Sequence, residues 1–320
     1  MSLVSIAVPV YHNAASLPEL LARLQEVAGK NPADAFEFVF VDDGSRDDSY
    51  AVLRDLAVRE KRLVVVKLSR NFGSNAALLA GLEESRGDAV GAVSADLQDP
   101  PELLHEMISR WRAGKRVVLA ARASREDPFP ASLLSNLFYA LFRRFAIPAM
   151  PRGGFDFFLV DRRVRDLVVA ARERNTYLMG LLLWVGFEPD VLTYHRRERE
   201  SRFGRSMWSL KKKLNYFIDS FVAFSYVPVR AASLLGITVS VLGLLYAVFV
   251  VGAWLVRGIP VAGWTSLMVA LLVVSGAQLL MIGVLGEYLW RNLDETRARP
   301  PFIVESVLRP GEFADPSSPE

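Results

Sequence analysis

From residue 1 to 122, short and mainly apolar runs alternate with segments in which apolar residues recur every three or four positions. The runs are Val4–Val10, Phe36–Val41, Leu63–Leu68, Ala89–Val93 and Val117–Ala120; the spaced segments are Leu17–Val27, Asp48–Arg59, Asn75–Glu84 and Glu102–Ala113. A run with no polar side predicts a strand buried on both faces, and the longer spacing predicts a helix with one buried face. Their alternation predicts an α/β domain whose mainly parallel sheet is covered on both sides by helices. Ligands of such sheets bind beyond the carboxyl ends of the strands. Polar clusters stand at those ends: Tyr11, His12 and Asn13; Asp42 to Ser45; Arg70 to Gly73; and Ser94 to Gln98.

The pattern changes in the last third. Ala231–Val256 and Thr265–Gly286 contain no charged residue, and each is longer than the roughly 20 residues a helix needs to cross a bilayer core. The short turn between them, Arg257 to Trp264, predicts a transmembrane hairpin with spans 231–256 and 265–286. A pair of apolar core helices in a soluble protein is the other reading of such runs. Lys211, Lys212, Lys213 and Arg230 precede the hairpin, and Arg291, Arg297 and Arg299 follow it. The positive-inside rule then puts both outer ends, and the α/β domain, on the cytoplasmic side of an inner (plasma) membrane. Met207–Tyr226 mixes a basic face with Trp208, Leu214, Phe217 and Phe221, and Ser132–Phe145 is similar. Both suit helices lying in the headgroup layer, or helices packed on a core. The expected divisions are a catalytic domain over 1–206 with an interface helix at about 131–146, and a juxtamembrane helix over 207–228. The hairpin follows over 229–290, then a cytoplasmic tail over 291–320, disordered from Pro310.

Composition narrows the chemistry. No cysteine is present, which excludes disulfides and thiolate nucleophiles. A net charge of +3 over 320 residues gives no basis for nucleic-acid binding, and three histidines leave little scope for zinc. Neither G-x-G-x-x-G nor a P-loop lysine motif occurs. Asp42 and Asp43 suit hydrogen bonds to a nucleobase and ribose, or else a turn whose helix Ser45 or Asp48 caps. Asp96 suits Mg²⁺ or Mn²⁺ shared with substrate phosphates, or else lies in a loop where Asp99 caps the helix begun by Pro100 and Pro101. Arg70, Arg122, Arg125, Arg199 and Arg202 are candidate phosphate clamps, or solvated surface residues.

Four segments carry a family resemblance: Val8 to Asn13, Val39 to Asp47, Leu68 to Gly73 and Ala95 to Glu102. Together with Gly276 to Gln278, Gly283 to Tyr288 and Arg297 to Pro300, they resemble family 2 glycosyltransferases of the GT-A fold. The resemblance is to the branch of dolichyl-phosphate mannose synthase and the bactoprenol glucosyl- and formamido-arabinosyl-transferases, over roughly residues 3 to 309. It implies transfer of a sugar from a nucleotide diphosphate donor, a UDP-sugar, to undecaprenyl or another polyprenyl phosphate, for modification of cell-envelope glycans. Pro9, Tyr11, Asn13, Asp42 and Asp43 would line the nucleoside pocket beside Arg70 and Asn71. Asp96 would be the metal-binding acid of a D-x-D motif, with Gln98 beside it and Ser94 facing the donor. Arg122, Arg125 and Ser135 would face the acceptor phosphate. Arg202, Gly204 and Ser206 match a mobile loop over the diphosphate, and a homotetramer is implied.

The chain departs from that pattern in four places. Ser94 stands where the first acid of D-x-D is expected, and Ser206-Met207-Trp208 lacks the lysine of S-K-Y. Asp156 to Leu159 reads D-F-F-L in place of D-F-R-L, and a basic residue before Ser135 is missing. These lost charges leave open an altered donor or a non-catalytic scaffold or partner subunit. A processive polysaccharide synthase is a third reading, but no Q-x-x-R-W motif occurs. The expected reaction is a single inverting displacement through an oxocarbenium-like transition state, in which the lipid phosphate, already largely a dianion, attacks without a general base.

Overall fold

The computed structural model describes residues 1–122, 140, 142–151, 154–171, 177–194, 224–257 and 263–310. Two units separate: Met1–Ser220 together with Pro300–Glu320, and Phe221–Arg299.

In the first unit every predicted strand and helix up to residue 122 forms, with ends within two residues of expectation. The strands are β1 (Ser2–Val10), β2 (Asp34–Asp42), β3 (Leu63–Leu68), β4 (Ala89–Ala92) and β5 (Val117–Arg122). The helices are α1 (Leu17–Gly29), α2 (Ser49–Arg59), α3 (Ser74–Glu84) and α4 (Leu103–Arg112). Further along come β6 (Phe155–Asp161), α5 (Arg162–Ala171), α6 (Leu178–Trp184), β7 (Pro189–Tyr194) and β8 (Val304–Leu308).

The strand order is β7-β5-β6-β4-β1-β2-β3-β8. Strands β3, β2, β1 and β4 pair in parallel, as do β5 and β7, whereas β6 and β8 run against their neighbours. Six strands therefore point the same way, and the sheet is mixed because β6, inserted between β4 and β5, and β8, at the edge, run the other way. Side chains alternate across the sheet with the period of two that a strand imposes. Phe38 and Phe40 of β2 join Leu20, Leu24 and Met107 on the face covered by α1, α2 and α4. Val39 and Val41 join Ala77 and Ala80 of α3 on the opposite face. Fully burying each phenylalanine stabilises the fold by about 1.5–3 kcal/mol relative to exposure.

Residues 291–320, expected as a tail, contain the end of a long helix and the strand β8. Strand β8 pairs with β3 from Val65↔Leu308 to Leu68↔Val304. Lys67 Nζ meets Glu305 at 2.7 Å, the Tyr50 and Ser306 hydroxyls lie 3.4 Å apart, and Arg309 binds the Glu84 carboxylate. Residues 311–320, expected to be disordered, lie outside the described residues. Most of the expected interface helix does too; its described part, 140 and 142–145, is helical. There Phe142 is buried edge-on to Tyr177 at 5.8 Å, and Phe145 is exposed.

The second unit holds α7 (Val227–Arg257) and α8 (Trp264–Thr296). The two runs predicted as spans lie inside these helices. At ~1.5 Å per residue, each exceeds the ~30 Å thickness of a bilayer's hydrocarbon. Leu242, Leu244, Phe249, Leu267, Leu271 and Leu279 are exposed along them. The helices pack together where Gly236 faces Met281: a Cβ on Gly236 would lie 2.6 Å from the Met281 sulfur. Apolar surface of this extent is at home in lipid rather than water, so this unit associates with a membrane.

Candidate active site

The site is built at the carboxyl edge of the sheet. At the end of β2, Asp42 has no exposed surface and accepts a bifurcated bond from the Ser45 N–H at 3.3 Å. Burial raises its pKa. Asp43 is also buried, and its two carboxylate oxygens accept the N–H groups of Phe72 at 2.7 Å and Gly73 at 2.9 Å. Burial pushes its pKa up to about 6, against the pull of those two bonds. Asp43 thereby fixes the loop after β3, where the Arg70 guanidinium lies over the Phe72 ring, 4.1 Å from its centre. Gly44 makes this approach feasible: its φ is +64°, and a Cβ there would lie 2.5 Å from the Arg70 carbonyl carbon. Asp48 stands at the N-cap of α2 without a side-chain cap bond. The capping role expected for Ser45 or Asp48 is therefore not what orders this turn.

The loop after β1 completes that side. Tyr11 and His12 stack with ring centres 4.2 Å apart. His12 has a φ of 55°, and its Nε2 accepts the Arg46 N–H at 3.2 Å. The Asn13 side-chain oxygen accepts the Tyr11 N–H at 3.2 Å, and the Ser49 hydroxyl accepts the Asn13 N–H at 2.9 Å. Positive φ in a non-glycine residue costs on the order of 1–3 kcal/mol and collects at functional loops. Leu97, beside Asp96, is the second such residue at this edge, with a φ of 58°.

At the end of β4, Asp96 is 9% exposed and Asp99 wholly buried. The Ser94 hydroxyl lies 2.6 Å from Asp96 Oδ1 and 3.1 Å from Asp99 Oδ2, and the Gln98 N–H reaches Asp96 Oδ1 at 3.3 Å. Asp99 does not cap α4, whose N-cap is Glu102; it accepts the Tyr194 hydroxyl from the end of β7 instead. Burial and the adjacent Asp99 carboxylate push the Tyr194 pKa up, keeping the phenol a proton donor. Arg122, at the end of β5, pairs with Asp156 at the start of β6 and stands opposite Tyr194 in the β5–β7 register. Burial lowers the Arg122 pKa, but Asp156, Asp99 and Tyr194 raise it more. Phe158, which takes the place of the arginine in D-F-R-L, is fully buried and edge-on to Phe155.

The edge thus brings together Pro9, Tyr11, Asn13, Asp42, Asp43, Arg70, Asn71, Ser94, Asp96, Gln98 and Arg122. Arg125, Ser135, Arg199, Arg202, Gly204 and Ser206 lie outside the described residues. Sequence reasoning gave no site role to His12, Asp156 or Tyr194, and read Asp99 only as a cap. Among the described residues no group of three acidic or histidine side chains is arranged to hold a metal ion. Asp96 still fits a site of one carboxylate, because Mg²⁺ commonly takes one or two protein carboxylates and completes its shell with phosphate and water.

A family model described as glycosyl transferase family 2 matches residues 5–164. A glycosyltransferase of Synechocystis, uncharacterised, is 37% identical over 305 residues, covering 95% of each chain. A bactoprenol glucosyl transferase of Shigella phage SfX is 35% identical over 304 residues, covering 95% of this chain and 99% of that one. Mannosyl-3-phosphoglycerate synthase from Rubrobacter xylanophilus, a solved structure, aligns with a TM-score of 0.47 at 18% identity, covering 68% of this chain and 71% of that one. The strand-end acids and arginines sit on a sheet of GT-A type, in the segment that the family model spans, and the chain belongs to glycosyl transferase family 2.

Proposed function

We propose that this glycosyltransferase moves a sugar from a nucleotide diphosphate donor, a UDP-sugar, to undecaprenyl or another polyprenyl phosphate. The observation that carries the reading is one sheet edge bearing both Asp96 and Arg122, in a chain that also carries two exposed apolar helices. A soluble donor and a membrane-held phosphate are the pair of substrates that such a chain serves. The full-length similarity to a bactoprenol glucosyl transferase supports the acceptor. In this reading both helices span the inner membrane as a hairpin, and the α/β unit faces the cytoplasm.

Tyr11, Asn13, Asp42, Asp43 and the Arg70 loop bind the nucleoside. The lipid phosphate, with a second pKa of about 6, is largely a dianion and attacks without a histidine base. Arg122 attracts that phosphate, and the reaction is an inverting displacement that depends on positioning and on charge stabilisation. Asp96, with Gln98 beside it, would hold Mg²⁺ or Mn²⁺. When bound, such an ion neutralises charge on the departing diphosphate.

The test is to incubate the purified full chain, in detergent, with a panel of nucleotide sugars and undecaprenyl phosphate. A lipid-linked sugar is the expected product. The second reading, a non-catalytic scaffold, draws on Ser94 at the first position of D-x-D; it predicts no product and requires no UDP binding by calorimetry with or without Mn²⁺.

A further inference from the structure

Three strand ends converge on one buried carboxylate. Asp99 has no exposed surface, and each of its oxygens is engaged: Oδ1 accepts the Tyr194 hydroxyl, and Oδ2 lies 3.1 Å from the Ser94 hydroxyl. From Ser94 the path continues to Asp96 at 2.6 Å; from Tyr194 it continues to Arg122, its direct neighbour in the β5–β7 register. One polar chain therefore runs Arg122–Tyr194–Asp99–Ser94–Asp96, linking the ends of β5, β7 and β4.

Asp99 and Tyr194 are given no contact with substrate in the proposed mechanism, yet the chain they form ends at Arg122 on one side and Asp96 on the other. A buried carboxylate is costly unless its charge and lone pairs are satisfied. Displacing Tyr194 removes a donor from Asp99, and the one proton of Ser94 lies between Asp99 and Asp96, so a shift at one end is felt at the other. Hydrogen bonds in such networks act together and resist piecemeal change. Ser94 is the link that makes the chain continuous. A hydroxyl can donate to a neighbouring carboxylate, whereas an aspartate at this position would put a third acid against Asp96 and Asp99 and supply no proton.

Building on the proposed transferase reading, we infer that Asp99 and Tyr194 are positioning residues, which hold the phosphate-facing Arg122 and the donor-facing Asp96 in fixed register through a buried chain closed by Ser94. The experiment is a double-mutant cycle on the full-length chain, using Tyr194→Phe, Ser94→Ala and the double variant, with UDP-sugar and undecaprenyl phosphate as substrates. Each single change is expected to lower kcat/KM by about 10–100-fold, the usual loss when a supporting hydrogen-bond partner is removed. Tyr194→Phe should also raise the KM for the lipid phosphate, as loss of Arg122 would, which a simple packing defect would not do selectively. The double variant should lose no more than the worse single, because one chain is broken once. Losses that multiply would overturn the inference. If Tyr194→Phe does not fold, Asp99→Asn takes its place in the cycle with the same two outcomes. A wild-type chain inactive with every donor overturns the transferase reading and this inference with it; an active wild type with multiplying losses overturns this inference alone.

Discussion

Asp43 closes the Arg70 loop through two backbone N–H bonds while sitting 2% exposed at the end of β2. Its pKa rises from 3.8 to about 6, so between those values the folded chain holds a proton that the unfolded chain releases. The stability this contributes is complete below about pH 4 and is lost as pH rises through about 6. Thermal unfolding of wild type against Asp43→Asn should show the wild-type advantage shrinking over that window, by at most about 3 kcal/mol at ~1.4 kcal/mol per pH unit. A growing advantage would contradict the assignment. Gly44→Ala should destabilise by about 1–3 kcal/mol and weaken UDP binding in calorimetry, since the added Cβ meets the Arg70 and Asn71 backbone. Asp96→Ala should abolish lipid-linked sugar formation. Arg122→Ala should raise the KM for the lipid about 10- to 100-fold, the worth of a charged hydrogen bond, and leave donor KM unchanged in steady-state assays. The strand-end acids were legible because each follows an apolar run. Tyr194 and Asp99 were not, because they stand 95 positions apart and no local motif announces their pairing.

At the scale of elements, the first half of the sheet could be read directly, since strands buried on both faces carry few polar residues and the intervening helices keep their own spacing. Strand β6 escaped because its sequence, Phe155 to Asp161, is locally just another apolar run; its antiparallel place between β4 and β5 depends on distant partners. Strand β8 escaped for a different reason. It is five residues long, partly exposed, and finds its place only by covering the β3 edge. That edge would otherwise present unpaired N–H and C=O groups, which invite pairing with another chain. Ending the protein at Pro301 should therefore produce soluble aggregates in size-exclusion chromatography, while Arg309→Ala, which loses only the contacts to Glu84 and Glu37, should stay dispersed.

At the scale of the molecule, the apolar pair α7 and α8 gives the chain its attachment, and in the proposed hairpin the flanking basic residues would give that attachment a direction. In inside-out membrane vesicles, protease added from outside should cut both the α/β unit and the C-terminal end, and alkaline washing should leave the chain in the pellet. Protection of either end would rule out the hairpin. The order of the chain adds a temporal constraint. The last strand of the sheet is encoded after both apolar helices, so the α/β unit is split in sequence, Met1–Ser220 and Pro300–Glu320. During translation the β3 border waits for Val304 to leave the ribosome, after both apolar segments have been made. Nascent chains stalled before that point should be nicked by protease near residues 63–73, where completed chains resist. On the proposed hairpin, the sheet would receive its final strand only after both apolar helices had been made.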